Sequence, residues 1–260
     1  MSQNTKPVML YLGCGNDRMK DFIHVEINLW KHQTGYPDVL ADISEKIPLA
    51  DNVADLVFSR ATMEHLTYTE LLNCLLESRR VLKRGGVVRM VLPDLDKLVE
   101  NYRNKVHSTD IESGPDMPNS DYVETFVAQI TYHDHFYNHT FETMRRALAK
   151  AGFDNIRRCN IADSIIKVAN EELKKAEVGR HYEMIIEATK LDREPTAAYT
   201  PKKWPRNIIL KFFAKYLNWR ISAYSDRKAK FPHKFWFKGL FFNEQRQMKK
   251  VFPWNIVSEK

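Results

Sequence analysis

LYLGCGNDR, Leu10 to Arg18, with HVEIN following at positions 24–28, is the stretch whose reading decides the fold. Its apolar start extends back to Val8, as expected of a strand buried on both faces, and it ends in Gly-Cys-Gly. A strand, a glycine turn that lets a ligand approach the backbone, and an acid after the next strand, Glu26, make a nucleotide-binding edge. Two departures narrow that reading. The third glycine of the dinucleotide fingerprint is missing, Asp17 and Arg18 standing in its neighbourhood. Glu26 follows Gly15 by 11 residues, whereas the acid of a dinucleotide fold lies about 20 further on, so little room is left for a first crossover helix.

Working outward, comparable apolar runs recur at Phe22 to Ile27, Val39 to Ile43, Ala54 to Phe58 and Val87 to Leu92, and five strands at this spacing predict a parallel sheet. Between the last two lies a helix. Thr67 and Glu70 form a capping box, Leu66 and Leu71 suit a hydrophobic staple, Leu71, Leu72, Leu75, Leu76 and Leu82 mark one buried face, and Gly85 is expected to stop it. A helix is expected from Asp94 to Arg103, and the polar, aperiodic Lys105 to Asp121 reads as a long loop and candidate lid. Phe141 to Ala151 reads as a helix ended by Gly152, followed by strands near Asn155 to Cys159 and His181 to Thr189.

As a set, over roughly Val8 to Lys190, these motifs resemble the class I methyltransferases that use S-adenosylmethionine. The resemblance implies an α/β, Rossmann-like fold with a seven-stranded, mostly parallel sheet and an antiparallel last strand. LYLGCG is similar to the first motif of that family, which places Leu12, Gly13, Cys14 and Gly15 at the cofactor. Glu26 is similar to the acid that binds both ribose hydroxyls, and ADIS, with Asp42 and Ile43, to the contact at the adenine end. IPLADNVADLVFS resembles the fourth-strand region, with Ser59 and Arg60 at its end, and LKRGGVVRMVLPDL the turn into the fifth strand. The short gap before HVEIN and the LPDL ending resemble a bacterial subgroup. The residues agree with the implied cofactor, because a carboxylate accepts hydrogen bonds from a diol and backbone amides around Gly13 to Asn16 suit a zwitterionic amino-acid group without phosphate. Only 9 of 260 residues are glycine, about half the usual share, yet Gly13, Gly15, Gly85 and Gly86 fall at these two turns.

Methyl transfer from a sulfonium is an in-line displacement on an activated carbon, so positioning supplies most of the catalysis and a base is needed only where the acceptor must lose a proton. Arg60, Glu64, His65 and Asp94 fall beyond the strand ends, where such groups belong. His65, in MEHL, matches a position often found near the methyl group in the family. In YHDHFYNHT, at 132–140, the resemblance implies that His133 or Tyr137 lies over the acceptor. His133, His135 and His139 have neither cysteines nor fixed secondary structure to support zinc geometry, and no metal is expected. The plain alternatives are that Glu64 and His65 shape the loop before Thr67 and that the histidine run is a polar helix entry capped by Asn138 or Thr140.

Charge divides the chain unevenly. Met1 to Thr200 holds 25 Lys and Arg against 30 Asp and Glu, whereas Pro201 to Lys260 holds 15 against 3, together with 14 of the 30 aromatic residues. The expected organisation is a catalytic domain at 1–192 and a basic, aromatic extension at 193–260. Ile209, Phe212, Phe213, Tyr216 and Trp219 follow helical spacing, and KFPHKFWFKGLFF from Lys230 interleaves lysines with rings in the manner of a membrane-interface anchor. An anionic membrane surface is the partner this favours. A nucleic-acid arm, or packing on its own domain or a second subunit, stands beside it. The three cysteines, Cys14, Cys74 and Cys159, are widely spaced and read as reduced thiols. With no signal-like start and no run of about 18 apolar residues, the expectation is a cytoplasmic protein, peripheral at the inner membrane face. The expected acceptor is a small molecule or glycan, specifically a surface-glycan or lipid-linked sugar intermediate. The alternatives are a nucleic-acid methyltransferase and a non-catalytic adenosyl-binding module.

Overall fold

Strand β1, Met9–Leu12, is buried along its whole length and lies between β2, Phe22–Glu26, and β4, Ala54–Arg60, parallel to both. The computed structural model describes residues 6–27, 37–106, 121–131, 135–177 and 182–202. Strand β3, Val39–Leu40, flanks β2, and β5, Leu82–Pro93, flanks β4, all parallel. With β6, Phe153–Cys159, and β7, Glu183–Lys190, the strands form one seven-stranded sheet in the order β3-β2-β1-β4-β5-β7-β6, in which β7 is antiparallel to both its neighbours. This is the mostly parallel sheet with an antiparallel last strand that the resemblance implies.

Helix α1, Tyr68–Val81, carries the expected capping box, both of its reciprocal bonds between Thr67 and Glu70 being present. Its end differs from expectation. The chain leaves the helix at Leu82, and Gly85, at φ 82°, instead sits in an irregularity of β5, where the register against β4 shifts between Ala54 and Leu56. Helix α2, Leu95–Arg103, is capped by Asp94. Helix α3, Tyr122–Thr131, follows without having been foreseen; the Asp121 carboxylate accepts from the amides of Val123 and Glu124. Helix α4, Phe141–Lys150, starts at Thr140 with a Thr140–Thr143 capping box, and Gly152 follows it at φ 83°. A short α5, Asn170–Ala176, completes the set.

One sheet face packs Met9, Tyr11, Leu56, Phe58, Val87, Val91 and Ile185 with Ala169 and Leu173 of the α5 region. Helix α1 packs on β5 and on α4, which in turn packs on β6. Arg89, in mid-strand of β5 and fully buried, belongs to the first face. It donates to the carboxylates of Glu177 and Glu187 and to the carbonyl of Asn160, so β5, β7 and the α5 end share one buried ionic cluster. Residues 191–200 are tied back to the body: the Asn73 side chain pairs with both the amide and the carbonyl of Thr200, at 2.9 and 2.7 Å. The first compact unit reaches Thr200. The candidate lid, at 107–120, and the basic tail from 203 onward lie outside the described residues.

Candidate active site

Parallel strands align their C-terminal ends along one edge, and ligands of open α/β sheets bind there. Every residue that the sequence nominated for the cofactor stands on that edge. Leu12 ends β1, Gly13 to Gly15 form the turn after it, Glu26 ends β2, Asp42 and Ile43 follow β3, and Ser59 and Arg60 end β4.

The nine residues from 13 to 21 join two parallel strands without a helix, although such crossovers usually take a dozen or more. Side chains hold this short connector in place of helical hydrogen bonds. Tyr11 Oη donates to Asp17 at 3.1 Å, the Met19 amide donates to His24 Nε2 at 2.9 Å, and Arg18 donates to the carbonyls of Gly15 and Asp17. Gly13 and Gly15 take φ of 62° and 50°. At Gly13 a Cβ would stand 2.3 Å from Thr62 Cγ2, so glycine is required twice over; Gly15 faces open space. Thr62, which donates to the carbonyls of Arg60 and Gly13 at 2.8 and 3.3 Å, therefore locks the β1 turn to the end of β4. Sequence reasoning missed it, because no motif marks a residue whose role is to lie across a glycine.

The Glu26 carboxylate points back at the turn. One oxygen accepts the Gly15 amide at 2.9 Å and the other the Ile27 amide at 2.8 Å. These bonds fix the orientation of the carboxylate, each of whose oxygens carries more than one acceptor site. Asp42 braces its own turn through the amide and hydroxyl of Ser44, at 3.0 and 2.7 Å. Burial pushes the Cys14 thiol up to about 11, which leaves it neutral and unreactive beside the turn.

Across the edge, a single 3-10 turn, Met63–His65, follows β4. Glu64 is buried, at 2% exposure, and His65 is exposed. The segment after α3 docks on this turn, the amides of Phe136 and Tyr137 donating to the Glu64 carbonyl at 2.9 and 3.3 Å. His65 and His135 then meet with ring centroids 5.0 Å apart, and Tyr137 packs between Tyr68 and His139. Two candidates, His65 and Tyr137, are thus brought together, 72 positions apart in sequence. His133 lies outside the described residues. His135, which had been set aside, takes the place beside His65.

Two further groups have other uses. Asp94 is fully buried, caps α2 and accepts from Arg158 at 2.6 Å, a structural use of its carboxylate. His139 is 1% exposed, and burial alone pulls its imidazole down to about 4, so it is neutral at physiological pH. A cleft of about 420 Å³ opens between α2, the end of β6 and the start of β7 on the same edge, where Lys97, Arg158, Asn160 and Glu183 supply its polar lining.

Residues 10–90 match the family model described as a methyltransferase domain. No curated protein sequence matches the chain. Among solved structures, it is similar to an S-adenosylmethionine-dependent methyltransferase of Thermotoga maritima, with 16% identity over 72% of this chain and 83% of that one and a TM-score of 0.43. It is also similar to Haemonchus contortus phosphoethanolamine N-methyltransferase 2 in complex with S-adenosylmethionine, with 17% identity over 73% and 50% and a TM-score of 0.41. Human N-acetylserotonin methyltransferase shares 15% over 72% and 48%, with a TM-score of 0.45. The chain thus spans about half the length of the last two. Among the described residues no helix is long and apolar enough to cross a membrane.

Proposed function

We propose that the chain, whose residues 10–90 match a methyltransferase-domain model, is a class I S-adenosylmethionine-dependent methyltransferase and that it methylates a hydroxyl of a surface-glycan or lipid-linked sugar intermediate at a membrane face. The observation that carries the donor half is the Gly13–Gly15 turn with Glu26 fixed across it by the Gly15 amide. In this reading Glu26 takes the ribose diol, Asp42 and Ile43 the adenine end, the Leu12 to Gly15 segment the amino-acid group, and Ser59 and Arg60 close the β4 side. The acceptor enters over the Met63–His65 turn.

A sugar hydroxyl must lose its proton as it attacks the methyl carbon, and in this reading it does so beside His65, exposed at the strand edge with Tyr137 close by. The rest of the rate comes from holding oxygen, methyl and sulfur in line in a site with little water.

The membrane half of the reading is supported by the charge and aromatic content of 201–260, since each basic residue near an anionic surface contributes about 1 kcal/mol. Two assays test the proposal. Labelled S-adenosylmethionine incubated with lipid-linked saccharide extracts is expected to label the saccharide. Full-length protein is expected to float with anionic liposomes and not with neutral ones, whereas residues 1–200 float with neither. Label in RNA instead of saccharide, with no difference in flotation, would move the tail to a nucleic-acid role.

A further inference from the structure

We propose that Glu64, His65 and His135 form a divalent-metal site of the zinc type at the end of β4, and that the ion receives the acceptor hydroxyl as its next ligand. Among the described residues, the ligand atoms of these three side chains lie within 4.8 Å of one another. Two of the ligands are adjacent in the 3-10 turn and the third comes from a segment some 70 residues away, so the grouping is a product of the fold. That segment is pinned at the site by the bonds from the Phe136 and Tyr137 amides to the carbonyl of Glu64 itself.

The second observation is the tautomer of His135. Its Nδ1 lies 2.6 Å from the Gln129 carbonyl, which can only accept, so the proton sits on Nδ1 and Nε2 is the nitrogen that carries the lone pair. Metal-binding histidines are oriented in this way by a carbonyl or carboxylate on the other ring nitrogen. Gln129 is itself buried in α3 and bonded to Tyr182, so the orienting group is part of the packed structure. Two imidazoles and one carboxylate are the ligand set of three-ligand catalytic zinc, which keeps a fourth position open. At zinc bond lengths of about 2.1 Å the ligand atoms would stand about 3.4 Å apart. Binding would draw the three ligand atoms together by up to about 1.4 Å.

The role given to the ion, though not its binding, rests on the O-methylation reading. An acceptor hydroxyl bound to the ion loses its proton to solvent at lower pH. The resulting oxygen attacks the methyl carbon as the sulfur–carbon bond breaks, giving a methyl ether and S-adenosylhomocysteine. His65 then acts as a ligand, and the proton leaves by way of water.

Calorimetric titration of metal-free, full-length protein with Zn²⁺ is expected to give one equivalent per chain. His65→Ala and His135→Ala should each weaken it by more than about tenfold, with melting temperatures close to the parent. Co²⁺ in place of zinc should give the visible absorption of a four- or five-coordinate ion, lost in the same variants. Because His65 is exposed, His65→Ala carries the test alone if His135→Ala fails to fold. No stoichiometric binding, or binding undiminished in His65→Ala, overturns the site. S-adenosylmethionine titrated into the same samples reads the donor side separately: its failure to bind would remove the methyl-transfer reading while leaving the zinc result to stand on its own.

Discussion

Alanine at Gly13 and at Gly15 should have different costs, and the difference isolates the contact that locks the donor turn. Both residues have positive φ, 62° and 50°, so both variants incur a left-handed backbone penalty of about 1–2 kcal/mol. At Gly15 nothing lies within 4 Å of the new Cβ, and the cost ends there. At Gly13 the new carbon would stand 2.3 Å from Cγ2 and 2.7 Å from Oγ1 of Thr62. Thr62 is buried and its hydroxyl is bonded to the carbonyls of Arg60 and Gly13, so it cannot turn away without losing those bonds. Overpacking of about 1–3 kcal/mol is therefore added, which brings Gly13→Ala to roughly 2–5 kcal/mol. Urea unfolding of the full-length protein measures both. Thr62→Ser removes Cγ2 and keeps the hydroxyl, so in the Gly13→Ala background it should restore about 1 kcal/mol. Equal destabilisation by the two alanines, or no recovery with serine, would refute the reasoning.

Arg89→Met should destabilise by about 3–5 kcal/mol in the same unfolding assay, because it takes the buried cation from Glu177 and leaves Glu187 with Arg157 alone. Adding Glu177→Gln and Glu187→Gln should restore part of that loss. His139 is held down to about 4, below the ordinary histidine value of about 6.5, so the unfolded chain binds the extra proton first. Its contribution is complete above pH 6.5 and is lost as pH falls towards 4. Between pH 7 and 5 the parent should therefore lose about 2 kcal/mol more than His139→Gln, and parallel stability profiles would count against a buried neutral imidazole. Asn73→Ala should loosen the end of the 191–200 strap, read as faster backbone amide exchange at Thr200, with a cost of about 1–3 kcal/mol for the pairing it removes.

What the sequence disclosed about this fold was what is local. The Thr67–Glu70 box, the Gly13–Gly15 turn, the Gly152 terminator and the apolar runs of β1, β2, β4 and β5 each depend on residues a few positions apart, and all are present. Gly85 misled because glycine marks both helix ends and strand irregularities, and here tertiary pairing of β5 with β4 takes it. Helix α3 carried a signal, Asp121 before Val123, Phe126, Val127 and Ile130, that was masked by the polar stretch leading into it. Arg89 lay hidden in an apolar run, since its partners Glu177 and Glu187 come about 90 residues later. The site divides in the same way. The donor edge is a linear motif, whereas the meeting of Glu64 and His65 with His135, and of Gly13 with Thr62, arises only when the sheet and α3 bring distant segments together.

Calorimetric titration with S-adenosylmethionine, comparing the parent with Glu26→Ala at matched melting temperature, tests the central claim most directly. One equivalent should bind the parent, and loss of the carboxylate that receives the ribose diol should weaken binding by about a hundredfold or more, the worth of two hydrogen bonds to a charged group at about 1.5–3 kcal/mol each. A folded parent that binds no S-adenosylmethionine, or a Glu26→Ala variant that binds it as tightly as the parent, would contradict the account.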